Sequence, residues 1–227
     1  MNKNIFTLLI FIVAFFSCSS DDNSNETKDI ILFTEEMHQI NGKTFEVELE
    51  PDNFIAEYAE TGMITGVRVG KTQAIIKCDG IVCEYNITVV AQNTLYEEPI
   101  YLLGANKNKL IEIYGQPDIL SEKYGQFSGL KDEMFNTFAF GDDQTVEIAS
   151  IIYSNNYSYY IGKHIEERYK CIGAYGLSFL IFADNTKDKF NTVVLRSLNL
   201  HQTIELAYMS KATFEKRFDA RFVDYIE

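Results

Sequence analysis

Several kinds of residue are scarce or absent in this sequence. It has no tryptophan, three prolines and three histidines, and its 33 acidic residues outnumber the 20 basic ones. The net charge of −13 would repel phosphate backbones, so we expect no nucleic-acid partner. The histidines lie far apart in the chain, and no Gly-x-Ser-x-Gly motif accompanies them. We therefore expect no catalytic triad and predict that His38, His164 and His201 are exposed polar residues.

The sequence also lacks the usual patterns for a metal or a cofactor. Neighbouring carboxylates such as Glu166-Glu167 point in different directions, unlike the facing pair of a glycoside hydrolase. Asp184 and Asp188 lack the spacing and the glycine of a calcium loop, and no CxxC motif is present. We expect no cofactor, no metal and no catalytic activity. An enzyme whose site is assembled only by folding is a minor alternative.

The start of the chain carries a short apolar run. Residues 5–16 follow a basic Lys3 and are too few to span a bilayer, which takes roughly 20 residues. Residues 1–17 are therefore typical of a secretory signal peptide. The segment Phe15-Phe16-Ser17-Cys18 resembles a bacterial lipobox, in which the cysteine becomes the first mature residue and carries the lipid, palmitate included. This resemblance implies lipidation of Cys18; the alternative is a plain secreted protein cut near Ser17.

A polar, acidic stretch follows the cysteine. Residues 18–27 contain no apolar anchor and are predicted to form a disordered tether. A Ser/Asp stretch directly after a lipidated cysteine resembles the export signal of surface lipoproteins in some Gram-negative bacteria. The resemblance implies a lipid-anchored protein of the outer membrane, on the cell surface, with the periplasmic face as the alternative. Such an anchor holds a soluble head near a membrane without inserting it.

One motif could suggest a nucleotide site. Gly70-Lys71-Thr72 has the ending of a phosphate-binding loop, but only three residues separate Gly66 from Gly70, where the loop has four. Such a loop must also open a helix, whereas the residues after Thr72 alternate as in a strand. Asp79-Gly80 then supplies a tight turn, and a second strand follows. The pattern predicts a β-hairpin without a nucleotide.

A longer stretch around this hairpin has a recognisable order of glycines and strand residues. The matching positions are Gly62, Gly66, Gly70, Ile75, Gly80 and Ile87-Thr88-Val89. In this order, residues 61–90 resemble the end of a bacterial Ig-like domain of the second group. Upstream, Ile30–Phe33 and Thr44–Leu49 would be its first strands. The segment 54–60 lacks the Trp-x-Ser-Ser-like sequence of that family, so we expect a short sandwich or a missing hairpin. The resemblance implies an all-β Ig-like sandwich over residues 28–91.

Three cysteines remain besides Cys18. Cys78 and Cys83 flank residues 79–82, and strand alternation places both on one face, so a disulfide is allowed in an oxidising compartment. The alternative is two small core thiols. Cys171 lies in a helical pattern and is predicted to be buried.

The second half of the sequence repeats one order of elements. A helix capped by Asn106 and ended by Gly115 precedes three strand patterns, and a second helix over residues 161–173 precedes three more. We therefore predict a mixed fold in which residues 92–227 form an α+β domain, each helix covering one face of an antiparallel sheet. The half-repeats are residues 95–155 and 156–210. The terminal segment, residues 211–227, is predicted to be a helix capped by Ser210.

Two short pieces of this half carry a further resemblance. Residues 103–106 (LGAN) and 114–117 (YGQP) are similar to small lipoprotein modules of the outer-membrane assembly and β-lactamase-inhibitor-like type. That similarity implies binding to another protein rather than catalysis.

Residues 153–160, YSNNYSYY, interleave tyrosine with serine and asparagine as binding loops do. Their predicted contacts with a protein or glycan ligand are Tyr153, Asn155, Asn156, Tyr157, Tyr159 and Tyr160. The alternative is a linker whose tyrosines pack on the sheet.

Together these features predict a lipid-anchored binding or adhesion protein of the cell envelope. A structural accessory subunit of an outer-membrane complex is the alternative.

Overall fold

The computed structural model describes residues 26–185, 191–197 and 202–218, together with the backbone of residues 223–225. These residues form a mixed, mainly β fold with three sheets. The predicted signal peptide, Cys18 and residues up to 25 of the predicted tether lie outside the described residues, whereas Glu26 and Thr27, also assigned to the tether, begin a strand. None of the helices within the described ranges has the length and apolarity needed to cross a bilayer.

The first part of the chain folds as two stacked sheets. Its strands are β1 (Glu26–Phe33), β2 (Met37–Gln39), β3 (Phe45–Leu49), β4 (Ala56–Ala59), β5 (Met63–Gly66), β6 (Gly70–Cys78) and β7 (Ile81–Val90). One sheet has the order β1-β7-β6-β3, with β1 parallel to β7, and the other has the order β2-β5-β4. Ile76 and Ile87 of the first sheet share one apolar core with Ala56 and Ile64 of the second. This shared burial holds the two sheets together.

The predicted hairpin is confirmed, but the expectation of a missing one is wrong. Strands β6 and β7 pair throughout their length around the Asp79-Gly80 turn, in which both residues have positive φ. The segment 54–60 contributes β4, which pairs with β5 to form a hairpin of its own. The side chains of Ala56 and Ile64 are fully buried there. Four-residue strands show too few alternations to be recognised in the sequence.

The possible disulfide in this hairpin is not formed. Because the turn has only two residues, Cys78 lies opposite Ile81, and Cys83 lies opposite Ile76. The two cysteines are thus diagonal neighbours, which are about 7–8 Å apart between Cα atoms, beyond the usual bridging range. Both are thiols in the structure, and Cys78 Sγ donates to the carbonyl oxygen of Asn41 at 3.1 Å. The alternative of two core thiols describes them better.

The described residues after the first two sheets build one nine-stranded sheet with the order β16-β12-β13-β14-β15-β11-β10-β9-β8. Its first elements are α1 (Lys107–Tyr114), β8 (Ile119–Leu120), β9 (Tyr124–Ser128), β10 (Phe135–Phe140) and β11 (Val146–Ser154). Then follow α2 (Ser158–Glu166), β12 (Lys170–Tyr175), β13 (Phe179–Ala183), β14 (Thr192–Ser197), β15 (Thr203–Ser210), α3 (Lys211–Arg217) and β16 (Val223–Tyr225). A unit of one helix followed by four strands therefore occurs twice in this part of the chain. The last strands of these units, β11 and β15, pair antiparallel at the centre of the sheet.

Helices pack on both faces of this sheet. Leu110 of α1 packs against Phe127 and Phe138, and Ile161 and Ile165 of α2 pack on the same face beside them. On the opposite face, Phe214 of α3 packs with side chains of β13, β14 and β15. A row of paired residues crosses this second face, from Ile181, Leu195 and Ala207 beneath α3 to Ser150, Thr137 and Gln126 beyond it. On this face the side chains of the row are therefore apolar beneath α3 and polar beyond the area that α3 covers.

Two predicted helices are shorter than the sequence suggested. Helix α2 ends at Glu166, and Cys171 lies half-buried on β12 rather than on a helix. There, pairing with β13 overrides a spacing that would also suit a helix. The terminal helix is capped by Ser210 as predicted, because the Ser210 hydroxyl accepts from the Thr213 N–H at 3.1 Å. It ends at Arg217, and β16 then pairs with β12, so the expectation of a helix over all of residues 211–227 is wrong.

Candidate functional site

The tyrosine-rich segment divides into a buried part and an exposed part. Tyr153 is only 1% exposed on the helix-covered face of β11 and therefore cannot touch a ligand. The ring of Tyr157 is half-buried and lies 5.6 Å from that of Tyr153. These two side chains pack on the sheet, as the linker alternative proposed. Asn155 is half-buried in a single 3-10 turn, and Asn156 beside it is exposed.

The last two tyrosines of the segment face solvent. Tyr159 is 69% exposed and Tyr160 is 56% exposed. Their rings stand edge to face, with centroids 5.5 Å apart and planes at 80°. Both lie in the first turns of α2, on the side away from the buried Ile161 and Ile165. Of the six predicted contacts, Tyr159, Tyr160 and Asn156 are thus the ones most accessible to a partner.

Tyr159 lines a groove of about 320 Å³ between the first two sheets and α2. The groove is formed by Thr34, Glu35 and Val67 from the strand ends, Gln92 and Asn93 from the segment after β7, and Tyr159, Lys163, Glu166 and Glu167 from α2 and its end. Small-molecule sites often lie where two structural units meet. Sequence patterns indicated only Tyr159 as a ligand contact. Thr34, Glu35, Val67, Gln92 and Asn93 come from distant parts of the chain, and the charged residues of α2 form no local ligand motif.

The groove carries charges of both signs. The Lys163 ammonium lies 3.9 Å from a carboxylate oxygen of Glu166, and both side chains are exposed enough to meet a ligand. On the opposite wall, Glu35 has a left-handed backbone with φ of 65°, and its N–H donates to the Gly66 carbonyl oxygen at 2.7 Å. The groove therefore offers donors and acceptors next to an aromatic ring.

Beneath the groove, a set of hydrogen bonds joins the first two sheets to α2. The Glu167 carboxylate accepts from the Asn93 backbone N–H at 2.9 Å and from Asn93 Nδ2 at 2.6 Å. Arg168 donates to the carbonyl oxygen of Asn93 at 3.0 Å and to the Thr94 hydroxyl at 3.2 Å. The Val69 N–H donates to the Glu167 carbonyl oxygen at 2.8 Å. We call Val69, Asn93, Thr94, Glu167 and Arg168 the junction; it fixes the groove walls relative to each other.

His164 lies fully buried next to the junction, so its predicted exposure is wrong. Its Nδ1 accepts from the Leu95 N–H at 3.2 Å, and the Tyr96 ring stacks on it with centroids 4.0 Å apart. Its Nε2 lies 3.5 Å from a carboxylate oxygen of Glu98. The sequence held a signal for this burial, because residues three and four apart share a helix face and Ile161 and Ile165 are apolar.

A cluster of buried tyrosines continues from Tyr96, the ring that stacks on this histidine. The hydroxyls of Tyr96 and Tyr208 are hydrogen-bonded to each other, and burial raises the pKa of both phenols well above the ordinary value. Burial also raises the pKa of Tyr169, which neighbours Glu98. Phenols with such raised pKa values stay protonated near neutral pH, and we interpret them as structural hydrogen-bonding groups.

Stability should fall at mildly acidic pH because of His164. Burial lowers the pKa of His164 in the folded state, more than nearby Glu98 raises it. The unfolded chain therefore takes up a proton first, near the ordinary pKa of about 6.5. The contribution of this group to stability is complete above that pH. It is lost as pH falls towards the lower folded-state pKa, at no more than about 1.4 kcal/mol per pH unit.

Urea unfolding at pH 7, 6 and 5 would measure this loss. The His164→Gln variant supplies the control, because it cannot titrate while the carboxylates remain unchanged. We expect the free energy of unfolding to decline more steeply with acidity in the wild type than in the variant. Equal slopes would contradict the assignment.

No protein-family model matches the chain, and no curated protein matches it in sequence. Within the described residues, no three side chains of His, Cys, Asp or Glu come together as a metal site would need. The fold and the groove define a mainly β protein with an open polar groove at the contact between its first two sheets and its helix-covered sheet.

Proposed function

We propose that this protein is a lipid-anchored binding or adhesion protein of the cell envelope without catalytic activity. The observation that carries the proposal is the groove, which is lined by the exposed Tyr159 together with Lys163 and Glu35. A partner would be held by contact with this aromatic ring and these charged groups. The junction supports binding, because a preorganised groove loses little freedom when a partner is bound.

The finer architecture belongs to the same proposal. We propose that residues 28–91 are an Ig-like sandwich, supported by the two stacked sheets and their common core. We propose that residues 92–227 form an α+β domain of duplicated units, supported by the two helix-and-four-strand units that meet at β11 and β15. In this arrangement the sandwich spaces the second domain from a lipid on Cys18. The location is the outer membrane, on the cell surface.

Binding is favoured over catalysis by the chemistry of the groove lining. A covalent mechanism needs a nucleophile within hydrogen-bond reach of a general base. The residues that form the groove include no serine, cysteine or histidine. His164 is fully buried, with its Nδ1 occupied by the Leu95 N–H. The Lys163 ammonium of the lining lies 3.9 Å from Glu166, which is beyond hydrogen-bond reach, so this pair is not a nucleophile activated by a base. These features favour polar contacts with a bound partner.

A pull-down from envelope extract tests the proposal. The full chain would serve as bait in three forms: wild type, Val67→Arg, which places a long charged side chain in the groove, and Ile31→Arg. Ile31 is 71% exposed on β1 and lies outside the groove, so its variant controls for the added arginine, and a thermal melt checks that Val67→Arg, at a half-buried position, is folded. We expect the wild type and Ile31→Arg to capture the same partner and Val67→Arg to lose it.

Equal capture by all three baits would refute a binding role for the groove. It would instead support the alternative of an accessory subunit that assembles through another surface. That alternative predicts a partner held in fixed stoichiometry whatever the state of the groove.

A further inference from the structure

We propose that the groove binds a neutral saccharide, with one sugar ring packed on the face of Tyr159. This inference rests on the proposed function, since it names the ligand class of the same groove. It combines three properties of the lining: the pairing of most of its charges within the protein, the presence of both hydrogen-bond donors and acceptors, and one exposed aromatic ring.

Most of the charges in the groove are paired within the protein. Lys163 and Glu166 are close enough to form an ion pair, and Glu167 is held by Asn93 and Arg168. Glu35 is a third carboxylate, so the lining as a whole is negative and would repel an anionic ligand. A cationic ligand would compete with Lys163 for the Glu166 carboxylate. A neutral ligand is not repelled and leaves these pairs in place.

The polar groups of the groove suit hydroxyls. Carboxylates only accept hydrogen bonds, an ammonium only donates them, and a hydroxyl can do both. Glu35 and Glu166 can therefore accept from sugar hydroxyls, while Lys163 can donate to others. The Gln92 side chain, next to them, is held in place by donating to the Thr34 carbonyl oxygen. A ligand rich in hydroxyls can satisfy acceptors and donors at the same time.

Tyr159 supplies the apolar contact that a sugar ring needs. Its ring is 69% exposed, and the edge-on ring of Tyr160 supports it from one side. The electron-rich face of an aromatic ring attracts weakly positive C–H groups, which line one face of many sugar rings. The volume of about 320 Å³ is at the small end of the range for ligand sites and suits one or two sugar units.

The test uses the full chain in a detergent without a sugar headgroup, so that the detergent cannot occupy the groove. The probes are hexasaccharides of glucose, mannose and xylose, with oligogalacturonate and chitosan oligomers as the charged counterparts. Isothermal titration would compare the wild type with Tyr159→Ala, Tyr159→Phe and Tyr160→Ala. We expect one neutral series to bind, with affinity reduced about tenfold or more in Tyr159→Ala and within about threefold in the other two variants.

Several results would overturn the inference. They are binding of the charged oligomers alone, binding of no saccharide, and an equal loss of affinity in Tyr159→Ala and Tyr160→Ala. Matching thermal melts of all variants would confirm that each is folded, as expected for exposed positions. If no saccharide binds but Val67→Arg still abolishes partner capture, the ligand class is wrong and the proposed function stands. If Val67→Arg has no effect either, both fail.

Discussion

Replacing Cys18 with serine should release the protein from the membrane fraction. A hydroxyl cannot take the place of the thiol that is acylated in lipoproteins, so the variant would keep no lipid. Stable membrane association needs two or more acyl chains, and a soluble head without them has little affinity for a bilayer. We expect nearly all of the wild type to sediment with membranes. The variant should carry no lipid and appear in the soluble fraction.

Cell fractionation with immunoblotting measures this, and labelling with a palmitate analogue detects the lipid directly. Ser19→Ala is the matched control, because it changes the next residue and leaves the thiol. Sedimentation of Cys18→Ser with the fatty acyl label still attached would refute lipidation at this position. Protease treatment of intact cells then separates the two faces of the membrane, since digestion is expected only for a protein on the cell surface.

Replacing Glu167 with alanine should destabilise the protein by about 3 kcal/mol, because a mostly buried charge and two amide donors lose their partner. The Glu167 side chain is 10% exposed, and the Arg168 side chain, 3.8 Å away, is 13% exposed. Asn93 would lose the acceptor of both its backbone N–H and its side-chain amide. For a chain of this size we expect the melting temperature to fall by roughly 6–12 °C.

Glu166→Ala is the matched control for this prediction. Glu166 is the preceding residue, but its side chain is 64% exposed and only loosely paired with Lys163. Its loss should change the free energy of unfolding by no more than about 0.5 kcal/mol. Thermal melts and urea titrations of the two variants give the comparison. Equal effects from both substitutions would show that the junction contributes nothing specific to stability.

The parts of the fold that the sequence predicted are those with long or well-marked patterns. The β6–β7 hairpin alternates over many residues around Asp79-Gly80, and α1 carries Asn106 and Gly115 at its two ends. The short strands β2, β4 and β5 carry too few alternations to be recognised. Strand β12 was mistaken for helix because Tyr169 and Ile172 also fit a helical spacing, and only pairing with β13 decides between the two.

Less of the candidate site could be predicted from the sequence. Composition pointed to residues 153–160, but not to which of their rings would be exposed. That depends on where β11 ends and α2 begins. The bond from the Asn93 N–H to the Glu167 carboxylate joins residues 74 positions apart. No local pattern predicts such a contact, so the groove above it could be found only in the folded protein.

The parallel pairing of β1 with β7 places the start of β1 far from the groove. Glu26 lies beside Cys83, near the Asp79-Gly80 turn, whereas Phe33 lies beside Val90, where the chain reaches the groove. Eight residues at about 3.3 Å each separate the two ends by roughly 25 Å. In a protein anchored by the lipid that we propose on Cys18, the chain would enter β1 at the end far from the groove, and the length of the strand would add to the reach of the groove from its anchor.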